Sequence, residues 1–274
     1  MERSTVSMIL LAFWCVPSAA LAADPTPHKL FTQAKGQSTT EWTTQLQAGR
    51  FQIHADFDLA GDQFLLAELS GMSASVSEML KLPEADRPIH VVLFSNAKEY
   101  ARYIKNYFPT VPERRALFIQ GRGPGMLFAH WHAEIHTDIR HEVVHGLLND
   151  QAHPLPLWLD EGLAEYFEVA EKDRLAGNPH LHALRGELDS GYVPALEDLE
   201  AVSDIEQLGS VQYRDSWAWV HFMLHRSPQT RRQLVQQLAD LRTATPTVPL
   251  SRLVAIEIPN WRDEFKTHFR ALAK

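Results

Sequence analysis

The chain has 274 residues, of which 45% are hydrophobic and 22% are charged, a composition typical of a globular protein with a sizeable core. Its 34 acidic residues outnumber its 26 lysines and arginines, and the formal net charge is −8. This balance, without a run of cationic residues interleaved with aromatics, argues against nucleic acid as a partner.

The first 22 residues have the three parts of a secretory signal peptide. Arg3 lies near the start, an apolar run extends over residues 6–16, and small residues end at Ala22. The apolar run is too short for a helix that spans a membrane. We therefore expect cleavage after Ala22, a periplasmic or secreted protein, and no membrane span in the mature chain.

The single cysteine, Cys15, lies inside this predicted signal peptide. The mature protein is therefore expected to have no disulfides and no thiolate ligands. Any metal ion must then be bound by histidine and carboxylate side chains.

Residues 23–48 are polar and predict a flexible leading segment. Residues 49–136 follow as a mixed α/β lobe, which contains the predicted strands RFQIHAD and IHVVLF, the second one central. A helix follows each strand, and Ser95 or Asn96 is the expected N-cap of the second helix. RALFIQG and GMLFAHWH then indicate a hairpin, whose second strand, residues 125–132, is predicted to pair with an extended substrate.

Residues 137–274 predict a helical lobe. Within it, the acid-rich stretch 187–204 is expected to be a solvated connection that flanks a cleft. The predicted fold class is thus α+β, a small mixed β-sheet with helices followed by a mainly helical C-terminal half. Apolar spacing places the helices at residues 138–149, 157–170, 212–225, 229–242 and 260–272.

The pentapeptide HEVVH carries the first chemical signal. Residues four apart on a helix are separated by about 40° around its axis and roughly 6 Å along it, so His141 and His145 project from one face. Two such imidazoles can bind one ion, and Glu142 lies at the margin of that face, where it can reach a water without being a ligand.

The second signal is the stretch LWLDEGLAEYFE, which begins a helix after Pro156. A loop between the two helices allows Glu161 to return against the pair of histidines. Two histidines and a glutamate form one of the known ligand sets of catalytic zinc, which keeps a fourth position open. A carboxylate in so apolar a helix also needs a partner.

HEVVH followed by DEGLAEYFE resembles the gluzincin group of zinc metallopeptidases, and within it short secreted bacterial proteins with the same arrangement. The resemblance implies a zincin-like fold, Zn2+ as cofactor, and Glu161 as the third ligand beside His141 and His145. It also implies that Glu165 orients a zinc-binding histidine. In the later stretch YRDS, it implies that the Tyr213 hydroxyl stabilises the oxyanion, with Ser216 where glycine is usual.

The expected function is that of a secreted zinc metallopeptidase, in which Glu142 activates a water that attacks a peptide or protein substrate. The chain lacks a Gly-x-Met-Glu-Asn box for a free peptide amino terminus, so we expect an endopeptidase rather than an aminopeptidase. Two alternatives stay open. One is a non-catalytic zinc-containing binding or assembly protein, and the other is a zinc amide hydrolase that acts on cell-wall material.

The remaining histidines favour ordinary structural roles. His130, His132 and His136 are interpreted as surface residues beside the metal helix, with a second metal site as the alternative. His221 and His225 repeat the four-residue spacing without an adjacent glutamate, and they are interpreted as core or surface residues of the helix that carries Tyr213.

Overall fold

The computed structural model describes residues 42–59, 62–85, 87–120, 123–149 and 155–272. These residues form a five-stranded mixed sheet and ten α-helices, with a mainly helical C-terminal half. The architecture confirms the predicted α+β class at this level. The predicted signal peptide and Cys15 lie outside the described residues.

The elements are numbered here in chain order. The strands are β1 (Thr44–Ala48), β2 (Phe51–Ala55), β3 (Ile89–Phe94), β4 (Ala116–Ile119) and β5 (Gly125–His130). The helices are α1 (Gln63–Leu80), α2 (Ala97–Tyr107), α3 (Ile135–Leu148), α4 (Leu157–Phe167), α5 (His180–Asp189), α6 (Leu196–Glu200), α7 (Ser210–His225), α8 (Pro228–Arg242), α9 (Leu250–Glu257) and α10 (Trp261–Ala271).

The strands are arranged in the order β1-β2-β3-β5-β4. The two inner pairs, β2 with β3 and β3 with β5, are parallel, and the two outer pairs are antiparallel. The hairpin of β4 and β5 is therefore confirmed. Because β5 is hydrogen-bonded to strands on both sides, it has no open edge, and the prediction that residues 125–132 pair with an extended substrate is wrong.

Strand β3 is the predicted central strand, and all six of its residues are buried. Alternate side chains of a strand point to opposite faces, and here Val91 and Leu93 belong to one apolar cluster while Val92 and Phe94 belong to another. Helix α2 covers the second face. A strand that is apolar at every position except His90 suits a sheet covered on both faces.

The larger apolar cluster continues from the first sheet face into the C-terminal helices, as far as Phe269. Helix α3 packs on β4 and β5, α4 packs on α3, and α7 packs on α4. The sheet and the helical half thus share one core, and this order of packing places α4 between the helix with the paired histidines and the helix with Tyr213.

Several predicted elements differ from the observed ones. Residues 44–48 form strand β1, although they fall within the predicted flexible segment 23–48, and β1 pairs with β2 from Thr44 to Ala48. The predicted solvated connection 187–204 contains α6, in which Leu196 and Leu199 are buried. Helix α9 was not predicted. Asn96 is the N-cap of α2, since its side chain accepts hydrogen bonds from the backbone of Lys98 and Glu99.

A chain of buried histidines lies between α7 and α10. The Nε2 of His221 donates to the Leu175 carbonyl at 2.9 Å, and its Nδ1 lies 2.9 Å from Nε2 of His268. Burial lowers the pKa of His221 to about 3 and that of His268 to about 4, and neighbouring histidine charges add to the shift. Of the two predicted roles, core or surface, the complete burial of His221 confirms the core.

None of the helices in the described ranges has both the length and the apolar character needed to cross a bilayer.

Candidate metal centre

Helix α3 buries both histidines of the HEVVH motif. His141 is 0% exposed and His145 is 1% exposed, and their ring centroids lie 4.9 Å apart. Val143 and Val144, on the remaining sides of the helix, are also buried in the core. Because α3 is enclosed on all sides, the position of the two imidazoles is fixed by packing.

Helix α4 brings the Glu161 carboxylate to these imidazoles. Its Oε2 lies 3.4 Å from Nε2 of His141 and 3.7 Å from Nε2 of His145, and Glu161 is fully buried. An ion with tetrahedral coordination and bonds of about 2.0–2.2 Å holds its ligand atoms roughly 3.3–3.5 Å apart. The three residues therefore have the spacing of one metal site.

The state of the His141 ring also fits a bound metal. Its Nδ1 donates a hydrogen bond to Oε2 of Glu168 at 3.0 Å, which leaves the lone pair of the neutral ring on Nε2. That Nε2 is buried and faces Oε2 of Glu161 at 3.4 Å without a well-formed hydrogen bond. A metal ion between the two atoms would replace the proton that the nearby carboxylates favour on this ring.

Two carboxylates on α4 and at its end orient the two imidazoles. Glu168 holds Nδ1 of His141, and Oδ2 of Asp160 lies 3.2 Å from Nδ1 of His145. The carboxylate that contacts His141 is thus Glu168 and not the predicted Glu165. Glu165 instead accepts a hydrogen bond from Nε2 of His180 at 2.9 Å.

Glu165 and Glu168 still belong to the same cluster. Together with His141 they form a second group whose ligand atoms are close enough to hold a metal ion. Burial, followed by the charge of Glu165, raises the pKa of Glu168. Burial also opposes the charge of Glu165, but the hydrogen bond from His180 and the charges of His180 and His141 together outweigh it and lower the pKa of Glu165.

The centre has a negative potential. Burial opposes the charge of His141, but Glu161 and Glu168 outweigh it and raise its pKa well above the usual value. The pKa of His145 is raised in the same way, because the charges of Asp160 and Glu161 outweigh burial. A potential that favours protonated imidazoles also favours a divalent cation.

Glu142 lies on α3 between the two imidazoles in sequence and is only 3% exposed. Burial raises the pKa of its carboxyl, and charges on His145 and His141 partly oppose that shift. A carboxylate with a raised pKa, held beside metal ligands without being one of the grouped ligand residues, has the properties of a general base.

Tyr213 lies in the first turn of α7 and is buried. Burial and then the charge of Glu161 raise the pKa of its hydroxyl, with further contributions from Glu165 and Glu142. The hydroxyl therefore stays protonated at neutral pH and lies within electrostatic range of the centre. It can donate a hydrogen bond there.

The histidines near the start of α3 have carboxylate partners. His132 lies 3.3 Å from Glu134 and 3.1 Å from Asp138, and His136 lies 3.0 Å from Glu68. These contacts support α3 from its N-terminal side. The side chains of His132 and His136 are only 14% and 28% exposed, so both are more buried than the predicted surface role requires.

Sequence reasoning missed Glu168 and the role of Asp160. For Asp160 a signal existed, because an aspartate beside the predicted ligand in an apolar helix needs a partner. Glu168 lies three residues after Glu165 on the same helix side, so spacing alone does not distinguish the two.

Comparison with known proteins identifies no family for this chain. The chain matches no protein-family model, and it has no significant match among curated proteins.

Proposed function

We propose that this protein is a secreted or periplasmic zinc metallopeptidase of the gluzincin type, with a zincin-like fold and endopeptidase activity. The observation that carries the proposal is the convergence of His141, His145 and Glu161 from two packed helices, with their ligand atoms within 4.8 Å of one another and Glu142 beside them. Endopeptidase activity is proposed because the chain lacks a box for a free peptide amino terminus.

His141, His145 and Glu161 would hold the metal ion. Zinc bound there would supply a Lewis acid that polarises the scissile carbonyl and lowers the pKa of a water toward about 7. Glu142 accepts the proton of the attacking water and then returns it to the leaving amine. The Tyr213 hydroxyl donates a hydrogen bond to the oxygen that becomes negatively charged.

The supporting carboxylates fix the rings. Glu168 accepts the Nδ1 proton of His141 and Asp160 lies against Nδ1 of His145, so both rings present Nε2 toward Glu161. Such contacts typically change metal affinity or activity by 10- to 100-fold. The negative potential of the centre, seen in the raised pKa of both imidazoles, has the sign that binding a cation requires.

The test combines metal analysis with a cleavage assay on the purified mature protein. We expect about one zinc per chain, cleavage of a mixed peptide library, loss of cleavage on chelation and recovery with zinc. Glu142→Gln should retain zinc and lose activity by roughly 10² to 10⁴. Glu197→Gln, an exposed change of the same kind on α6, should cleave like wild type.

The outcomes separate the alternatives. A chain that retains zinc but cleaves neither peptides nor peptidoglycan fragments would be a binding or assembly protein. Cleavage of peptidoglycan fragments alone would identify a cell-wall amide hydrolase. Wild-type activity in Glu142→Gln would overturn the proposed mechanism.

A further inference from the structure

A cavity of about 490 Å³ lies between α2 and the segment that precedes β4. Its wall is formed by Tyr100, Ile104 and Lys105 of α2, by Arg114 before β4, and by His130 at the end of β5. None of these residues belongs to the metal centre described above.

The cavity is cationic in an otherwise acidic protein. Arg102, Lys105 and Arg114 line it, and Glu113 is the one carboxylate among its lining residues. Burial lowers the pKa of His130, so this residue adds no charge at neutral pH. With a formal net charge of −8 for the whole chain, a pocket with this excess of cations favours an anionic group.

Tyr100 provides a second, independent observation. It lines the cavity, is only 4% exposed, and its hydroxyl has no hydrogen-bond partner among the described residues. A buried hydroxyl without a hydrogen-bond partner is unfavourable. A ligand with an acceptor oxygen would remove this penalty.

The cavity is linked to α3 through the segment that contains Arg114 and Arg115. Arg115, the neighbour of Arg114, binds Oδ1 of Asp138 at 2.9 Å, and Asp138 precedes Glu142 by four residues on α3. Besides burial, the charge of Glu142 raises the pKa of the Tyr100 hydroxyl, which shows that the two groups are within electrostatic range. The charge of Arg114 lowers the pKa of the hydroxyls of both Tyr100 and Tyr213, so Arg114 is within electrostatic range of both.

We propose that this cavity is a substrate subsite that binds a carboxylate group, through the guanidinium of Arg114 and the hydroxyl of Tyr100. The proposal rests on the proposed peptidase function and specifies its substrate class, a peptide with a carboxylate close to the scissile bond. That carboxylate has two possible sources, the side chain of an aspartate or glutamate, or the free carboxyl terminus of the peptide.

The experiment uses peptides that differ in one charge. One pair has glutamate or glutamine at a fixed internal position, and a second pair has a free or an amidated carboxyl terminus. We expect wild type to prefer the carboxylate member of one pair by roughly ten- to hundredfold in kcat/KM, as for a hydrogen bond to a charged group. The peptide pair that shows the preference identifies the source of the carboxylate, a side chain or the carboxyl terminus.

Two variants test whether Tyr100 and Arg114 bind the substrate carboxylate. Tyr100→Phe and Arg114→Gln should each lower the preference by about tenfold or more. Tyr107→Phe, at an exposed tyrosine on the same helix, and Arg252→Gln, at an exposed arginine on α9, should leave it unchanged. Tyr100→Phe breaks no hydrogen bond with a described residue and removes a buried hydroxyl without a partner, so its melting temperature should be at least that of wild type. This variant keeps the test valid if Arg114→Gln is unstable.

Calorimetric binding of the same peptides to Glu142→Gln separates this inference from the proposed function. Cleavage of both members of each pair at equal rates would overturn the subsite and leave the peptidase intact. Selective binding of the carboxylate peptides without cleavage by wild type would support the subsite and refute the peptidase. Equal binding of all four peptides, or an unchanged preference in Tyr100→Phe, would refute the subsite.

Discussion

Gly162 follows the predicted ligand Glu161 and lies where α4 and α7 come closest. A Cβ added at Gly162 would be 2.6 Å from the carbonyl oxygen of Ser216 and 2.9 Å from Cγ2 of Val220. Contacts of a Cβ below 3.0 Å are essentially never seen, so Gly162→Ala must move the two helices apart by at least about 0.4 Å. The nearest atom is backbone, and it cannot move aside by a side-chain rotation.

A matched control isolates the free-energy cost of the close contact at Gly162. Overpacking of this kind costs about 1–3 kcal/mol, whereas glycine to alanine inside a helix gains up to about 1 kcal/mol. Gly71, in α1, has no atom within 4 Å of an added Cβ, so Gly71→Ala measures the gain alone. Relative to that control, we expect Gly162→Ala to lose about 1–3 kcal/mol, or roughly 2–12 °C in melting temperature.

Thermal and urea denaturation of the metal-free variants would measure this difference, and titration with zinc would measure the second consequence. Because Glu161 precedes Gly162, the displaced helix carries the carboxylate with it, and zinc affinity should fall in Gly162→Ala but not in Gly71→Ala. Equal stability of the two variants, together with wild-type zinc affinity, would show that the contact between α4 and α7 does not position the centre.

Three further expectations concern single side chains. Glu168→Ala should lower zinc affinity by about 10- to 100-fold in a competitive titration, because His141 loses the acceptor that orients its ring. Tyr213→Phe should lower kcat by roughly 10² with little change in KM in a peptide assay, because it removes a donor needed only when charge develops on the oxygen. The contribution of His221 to the free energy of unfolding should fall as the pH drops below about 6.5, where the unfolded residue gains a proton that buried His221, whose pKa is about 3, does not bind. The slope is about 1.4 kcal/mol per pH unit for this residue, and urea denaturation at pH 7 and pH 5 measures it.

Each of these expectations has a control. Glu171→Ala, an exposed change near Glu168, should leave zinc affinity unchanged. An equal fall of kcat and rise of KM in Tyr213→Phe would indicate a role in substrate binding instead. His221→Asn should show a smaller loss of stability between pH 7 and pH 5 than wild type, and an unchanged difference would refute the assigned role of this histidine.

The sequence predicts elements well where one pattern is unambiguous. The apolar run of β3 allows only a buried strand, and the caps and spacing of the long helices define α2, α7 and α8 within a few residues. Strand β1 was missed because its three central residues are exposed and two of them, Gln45 and Gln47, are polar, so the strand has no apolar pattern that would indicate its pairing. Helices α6 and α9 are short, and their stability comes from tertiary contacts rather than from a long amphipathic pattern.

In the candidate site, too, local features can be predicted from the sequence and features that depend on tertiary contacts cannot. The ligand residues can be predicted because His141 and His145 are related by helix geometry, which is local. The carboxylate that accepts the hydrogen bond from His141 cannot be predicted, because Glu165 and Glu168 are equivalent by spacing. Which of them reaches His141 depends on how α4 crosses α3. The cavity at Tyr100 has no sequence signal either, since its residues come together only when α2 packs against the sheet.

Glu142 bears on whether the centre serves stability or catalysis. Burying a carboxylate is unfavourable, and Glu142 is buried within electrostatic range of two further carboxylates, Glu161 and Asp138. Glu142→Gln keeps the shape of the side chain and removes the charge, so the metal-free variant should be at least as stable as wild type at pH 7 in urea denaturation. A residue that lowers stability beside a metal centre is expected of a catalytic base, because function requires its charge. A metal-free Glu142→Gln that unfolds more readily than wild type would instead assign this carboxylate to the fold.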